Sequence, residues 1–566
     1  MSSEELAKKI NDLVALGSTT NLEAFSYYHH KFCNYPRVVF SEKLLPQDAV
    51  ATILLDGRRG EVYSVCVQVD HDRDVSKRAV ILYISTNQKM SMVKTLYLEQ
   101  IWDLLQKRAQ CYAENARERE LLKRQQVQGP LDFSGPARPT PTVPSDLYHQ
   151  MMRVVYKQCF ERWFKWIQTA HADMSRFKTT FREAVGEDIA LSNPYDYWWL
   201  EPLSYLLEQY TWVFESTEAL KSQGRDPVEI VAHADFAVKM ERLESAYTII
   251  ERDDVALGTI EEWQGAADEQ EVPIAVHLRR FSEFQISIVQ LERLTQSHRS
   301  FMHYKNKPLE VVYIDDLNPS PLRTLYPTDT NTWKESLRHA LHSRGFKLRP
   351  EYNDRMESHL APLCDAAEAQ NQVIRPAVHP PTQLLQFFLT YKISPPPFSY
   401  IGSSRPICAA CAAVFVAWDQ LYETPSYMTR GSDGVYPFPW HVPTQWSGST
   451  APEDGGMLEM VYKKVAARLA GSLFEGQIAM WREGMEPLFE YQALPGEDVE
   501  MGGQQPGDDV DQIMLDVERL VEDPEPELDR ESEHLEGHGQ TGTDTLEDED
   551  EIRNAEVQPV GEEILN

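Results

Sequence analysis

The chain has 566 residues and a formal net charge of −33, with 42% hydrophobic and 10% aromatic residues. That composition supplies real cores and excludes a wholly disordered chain, and at roughly 150 residues per domain the length predicts two or three folded units. Affinity for nucleic acid comes mainly from Lys and Arg neutralising phosphates, so a chain this acidic is a poor general DNA or RNA binder.

In chain order, residues 1–127 read as a small α+β region. Met1 to Lys9 begins acidic and then amphipathic, without the apolar core of a signal peptide. His29-His30 near Cys33 is better taken as a helix surface than as a metal cluster. Val50–Leu55 and Val62–Val69 predict a hairpin around Asp56–Gly60, and Arg78–Ser85 a third strand. From Ser91 to about Gln126 the pattern turns helical through Leu98, Ile101, Leu104 and Leu105. Within it, the alternating signs of Arg117–Arg124 suit an exposed helix face better than a basic nucleic-acid patch.

Five prolines and two glycines between 129 and 144 predict a linker over 128–144. Residues 145–305 read as long helices, with Met151, Val155, Cys159, Trp163 and Trp166 at helical spacing. Large aromatics fill irregular helix crossings, so Tyr195–Trp199 predicts a core knot rather than a stacking platform.

A third region, 306–490, opens with a strand at Val311–Ile314 and helices at Thr332–Ser343 and Asn353–Gln370, and closes with an amphipathic helix from Gly455 to about Tyr491. The last segment, 491–566, carries 25 acidic residues against Arg519, Arg530 and Arg553, a net −22. Such a segment buries too little apolar surface to offset its ordering entropy, which predicts a disordered acidic tail that solubilises the chain or recruits a protein partner. Seven cysteines, odd in number and scattered, do not make a disulfide framework and point to a reducing intracellular compartment, cytoplasm or nucleus. No run approaches 18 apolar residues, so no membrane span or membrane partner is expected.

The chemistry concentrates in His379-Pro380-Pro381 and Pro406-Ile407-Cys408-Ala409-Ala410-Cys411. Zinc deaminases hold their metal with the His of H-x-E and the two Cys of P-C-x-x-C, and the Glu moves protons. A hydrolytic zinc site needs three protein ligands and an open fourth position for water. His379, Cys408 and Cys411 meet that requirement in the expected order, but Pro381 holds the Glu position. Prolines suit a first helical turn, and Leu384, Leu385, Phe388 and Leu389 then recur on one face, placing His379 at a helix N-terminus. Phe398–Gly402 reads as a strand, and the apolar run Ala409–Trp418 as a buried helix with both cysteines in its first turn, where amide donors and the helix dipole favour thiolates.

From Val378 to Pro443 the chain resembles the fungal nucleic acid/nucleotide deaminase-like family of the cytidine deaminase-like superfamily. The resemblance rests on Ile401-Gly402-Ser403-Ser404-Arg405-Pro406 running into Cys408-Ala409-Ala410-Cys411, and on Thr429–Gly434 followed by Trp440 and Pro443, with Asp433 where members often carry His. It implies a C-terminal cytidine deaminase-like α/β/α domain in an otherwise α+β, multi-domain and largely helical chain. It also implies a zinc ion on His379, Cys408 and Cys411, and a nucleoside, nucleotide or single-stranded nucleic acid at the pocket. It supplies no catalytic glutamate; Glu357 or Glu368 could substitute only if the fold brought one to the metal. Three readings follow: a catalytically impaired pseudoenzyme acting in binding or assembly, with protein partners on the helical region or tail; an active zinc-dependent deaminase; and a helical scaffold without metal.

Overall fold

The computed structural model describes residues 3–20, 40–41, 45–58, 61–69, 79–88, 91–128, 145–187, 198–264, 272–296, 304, 306–314, 326–342, 346–348, 353–371, 378–391, 393–421, 427–432, 436, 440–443, 456–466, 469 and 489–491. All of them lie in the first of two compact units, Met1–Met501. The expectations for His29, His30 and Cys33, for the linker, for Tyr195–Tyr197, for Asp433 and for the acidic tail fall outside the described residues.

Helix α1 spans Ser3–Thr20 and a two-residue strand β1 covers Phe40–Ser41. Helix α2 (Pro46–Ile53) precedes strands β2 (Tyr63–Val69) and β3 (Val80–Thr86). Long helices α3 (Met92–Gln128) and α4 (Ser145–Glu187) follow, then α5 (Leu200–Ser222), the short α6 (Phe236–Met240), α7 (Leu243–Glu251), α8 (Asp254–Gln264) and α9 (Ile274–Gln296). The chain continues through β4 (Leu309–Ile314), α10 (Thr330–His342), β5 (Phe346–Leu348), α11 (Asn353–Asn371) and α12 (Pro380–Tyr391). It then forms β6 (Tyr400–Ser403), α13 (Ala409–Leu421), β7 (Met428–Arg430) and β8 (Phe489–Tyr491).

Two sequence expectations are corrected. Val50–Leu55 is not a strand: Pro46 at the first helical position and the Asp48 carboxylate, accepting the Leu45 N–H at 3.0 Å, start a helix there. Asp48, Ala49, Ala51, Thr52 and Ile53 are buried, and Val50 packs half-buried against the same core, so apolar residues run through the segment without a polar face to mark a helical stripe. The hairpin partner of β2 is instead β3, in register from Tyr63 opposite Thr86 to Val69 opposite Val80. The closing helix, in turn, does not reach Tyr491: residues 456–466 are helical, but Phe489–Tyr491 pairs antiparallel with β5.

A six-stranded mixed sheet, ordered β1-β7-β6-β2-β3-β4, organises the α+β fold. Strands of the first 127 residues and strands beyond 306 therefore share one sheet. Alternation along β2 and β3 sorts side chains between two cores. Tyr63, Val65, Leu82 and Ile84 enter a core with α2, α4 and α9, in which Trp163 donates its indole N–H to the Phe281 carbonyl at 2.9 Å. Cys66 and Tyr83 face a second core that contains α1, α12 and α13. Trp199 is buried 5.7 Å from Trp263, as a helix knot requires, whereas Trp198 is 54% exposed. Arg117 and Glu118 lie exposed on α3. Among the described residues no helix is long and apolar enough to cross a membrane.

Candidate metal centre

His379 caps α12. Its carbonyl accepts the Gln383 N–H at 3.0 Å and the Thr382 hydroxyl at 2.8 Å, so Pro380 and Pro381, which lack an N–H, occupy the positions where none is needed. Gln383 fixes the cap from the sheet side: its Nε2 donates to the Val378 carbonyl at 3.0 Å, and its Oε1 accepts from the Ser85 hydroxyl of β3.

Cys408 caps α13 in the same manner. Its carbonyl accepts the Ala412 N–H at 2.9 Å, and its sulfur accepts the Cys411 N–H at 3.4 Å. The loop that delivers it is held at both ends: Ile407 N–H donates to Gly431 at 3.1 Å, and Ser404 N–H donates to Tyr63 at 3.0 Å.

The cap of α12 and the first turn of α13 converge. The His379 Nδ1 lies 3.5 Å from Cys408 Sγ and 3.5 Å from Cys411 Sγ, and the three donor atoms lie within 4.8 Å of one another. Tetrahedral zinc with bonds of about 2.0 to 2.3 Å has nitrogen–sulfur edges of about 3.5 Å. The donor set therefore fits the ion in both chemistry and spacing. All three residues picked out from sequence are brought together, and among the described residues no carboxylate joins them. Glu368 is exposed on α11, the helix that also carries Glu357.

Burial pushes the Cys408 thiol well above its ordinary range; the neighbouring Cys411 sulfur adds to the rise and His379 opposes it. A cation supplies the compensation that the apolar surroundings do not, so loading the site releases protons.

Sequence reasoning named Trp440 within the resemblance but gave it no role, and missed Tyr326, His441 and Asn11, which hold these ligands with it. Trp440 donates its indole N–H to Cys411 Sγ at 3.4 Å, and the Trp440 carbonyl accepts the Tyr326 hydroxyl at 3.0 Å. Next in the chain, His441 bridges Val378 in parallel, and its Nδ1 accepts the Asn11 amide at 3.2 Å, while Asn11 Oδ1 accepts the Val442 N–H at 3.0 Å. Helix α1 is thus tied to the segment behind the ligands. The aromatic Trp440 followed by Pro443 was the one available sequence signal for this support.

Residues 378–444 match a family model described as "OTT_1508_deam:-like deaminase", a span that contains His379, Cys408, Cys411 and Trp440. No curated protein and no solved structure matches the chain. The chain thus contains a deaminase-like domain whose His and two Cys lie close enough to bind a metal ion.

Proposed function

We propose that His379, Cys408 and Cys411 hold a zinc ion in a cytidine deaminase-like domain, and that this domain binds a nucleobase-type ligand or assembles with a partner without turning substrate over. The observation that carries the reading is the equal 3.5 Å approach of His379 Nδ1 to both sulfurs at the tips of two helices. When bound, zinc supplies Lewis-acid polarisation. The chain's residues do the rest: the imidazole and two thiolates fix the ion, and the Cys411 and Trp440 N–H groups brace the sulfurs.

The step these residues do not support is proton transfer. Pro381 is buried at the position that the resemblance gives to the acid/base glutamate, and a proline ring can neither hold nor move a proton. Loss of a general acid/base costs about two to four powers of ten in rate. Protein partners of the helical region would then account for the remainder of the chain.

Elemental analysis of purified protein should find zinc bound stoichiometrically, and Cys408→Ser should lose it. Mass-spectrometric assays on cytidine- and adenosine-type substrates should find the natural chain silent, and Pro381→Glu should raise activity above that baseline. Turnover by the natural chain that Cys408→Ser abolishes would show an active deaminase instead.

A further inference from the structure

Strand β4 ends the six-stranded sheet on one side, and among the described residues no strand lies beyond it. Its register with β3 runs unbroken from Leu309 opposite Val80 to Ile314 opposite Ser85, without a bulge or a proline. The Pro308 carbonyl accepts the Val80 N–H at 2.9 Å, so the ladder to β3 uses Pro308, Glu310, Val312 and Ile314. The N–H and C=O groups of Leu309, Val311 and Tyr313 therefore point outward. Native sheets blunt such an edge with lysine, proline, a bulge or a covering element. Here the one charge on the strand is Glu310, exposed on the face opposite to Val311.

Helix α3 runs alongside this edge in the opposite direction. The Thr95 and Tyr313 hydroxyls meet at 2.7 Å, Trp102 donates its indole N–H to the Lys307 carbonyl at 2.9 Å, and Gln106 donates its side-chain amide to the Tyr304 carbonyl at 2.9 Å. Helical spacing puts the exposed Glu99 on that same face, between Thr95 and Trp102. Met92 and Leu96, one turn apart beside Thr95, are 78% and 63% exposed. On the strand, Leu309, Val311 and Tyr313 are only half-buried on the side that faces α3. Apolar side chains left open on a helix and on the strand it flanks, next to unused main-chain groups, are what an added strand covers.

The charges select the occupant. Glu99 and Glu310 make no ion pair among the described residues. A second copy of the chain would bring the same two carboxylates and another net charge of −33 to the edge, and like charges oppose it. We propose that the free edge of β4, flanked by α3, is a docking site for an extended segment of a partner protein in which apolar residues alternate with lysine or arginine. The segment adds one strand to the sheet: its main chain pairs with Leu309, Val311 and Tyr313, its apolar side chains cover Met92 and Leu96, and its cations meet Glu310 and Glu99. Leu309, Val311 and Tyr313 pack on the core of α9 and Trp163, whereas Cys408 and Cys411 belong to the other core, so docking does not depend on the metal centre.

A fluorescent peptide, Lys-Val-Lys-Val-Lys-Val-Lys, titrated by anisotropy into the full-length chain, is the probe. Its backbone N-methylated form keeps every charge but cannot pair as a strand, so it reports attraction to acidic groups elsewhere in the chain. The plain peptide should bind about tenfold or more tighter than the methylated one. Val311→Pro deletes one outward N–H and no bond to β3, and should remove most of that difference. Leu96→Gln and Glu310→Gln should each shrink it about two- to fivefold, with metal content and melting temperature unchanged. Should Val311→Pro fail to fold, these two exposed substitutions decide. Equal affinity for the plain and methylated peptides overturns the proposal, as does a difference that none of the three substitutions reduces. Equal binding of Asp-Val-Asp-Val-Asp-Val-Asp overturns the choice of a basic partner. A chain that sediments as a dimer, and that Val311→Pro turns into a monomer, assigns the edge to a second copy and overturns it too.

Discussion

His441 carries a pH signature that reaches the metal centre through the backbone. Burial pulls its imidazole down from 6.5 to about 4, so the folded chain refuses a proton that the unfolded chain accepts. Between those values the unfolded state binds more protons, and stability falls as pH drops from about 6.5 towards 4, then levels off. The full effect is on the order of 3 kcal/mol, with roughly 1 kcal/mol already lost at pH 5.5. Denaturant titrations at pH 7.5 and 5.5 should show this loss in the natural chain and a smaller one in His441→Gln; equal pH dependence in both would assign the effect to other groups. At this scale the ligands were legible because H-P-P and C-x-x-C are short-range patterns with fixed helical meaning. Asn11 was not, since its contact with His441 joins residues 430 apart and no local pattern encodes it.

Helices α12 and α13 and strand β6 were legible as elements because apolar spacing and prolines mark them. Helix α2 was not, because its apolar residues run without a helical stripe and the β-branched Val50, Thr52 and Ile53 mimic a strand. The same helix explains the Ile-Gly-Ser-Ser run. Asp48 accepts the Ser403 N–H at 2.8 Å and the Tyr400 hydroxyl at 2.6 Å, docking the start of α2 onto β6. Gly402 lies under that contact, and a Cβ there would stand 2.6 Å from the Asp48 amide nitrogen. Gly402→Ala should therefore cost about 1 to 3 kcal/mol by overpacking against backbone. Chemical denaturation would check this, and a loss below about 0.5 kcal/mol would mean that α2 can shift freely.

The sheet joins what the sequence reading kept apart. Between β7 and β3, the order β6-β2 places a strand of the deaminase-like span directly against one from the first 127 residues, with Ser64 opposite Ser403 and Val65 opposite Gly402. Strand pairing over such separations leaves no periodic trace in either segment. A peptide of residues 378–444, the span that matches the family model, lacks β2, β3 and Asn11. It should show neither cooperative unfolding nor stoichiometric zinc, while the full chain shows both. A folded, zinc-loaded peptide would mean that the hairpin is dispensable.

The same pairing sets a timetable at the ribosome. Tyr63 meets Ser404, which is made 341 residues later. At about 5 to 20 residues per second the hairpin emerges some 20 to 70 s before the strand that covers its flank. During that interval β2 presents a free row of amide and carbonyl groups, a template for any passing strand. Nascent chains stalled before residue 400 are where chaperone dependence should concentrate.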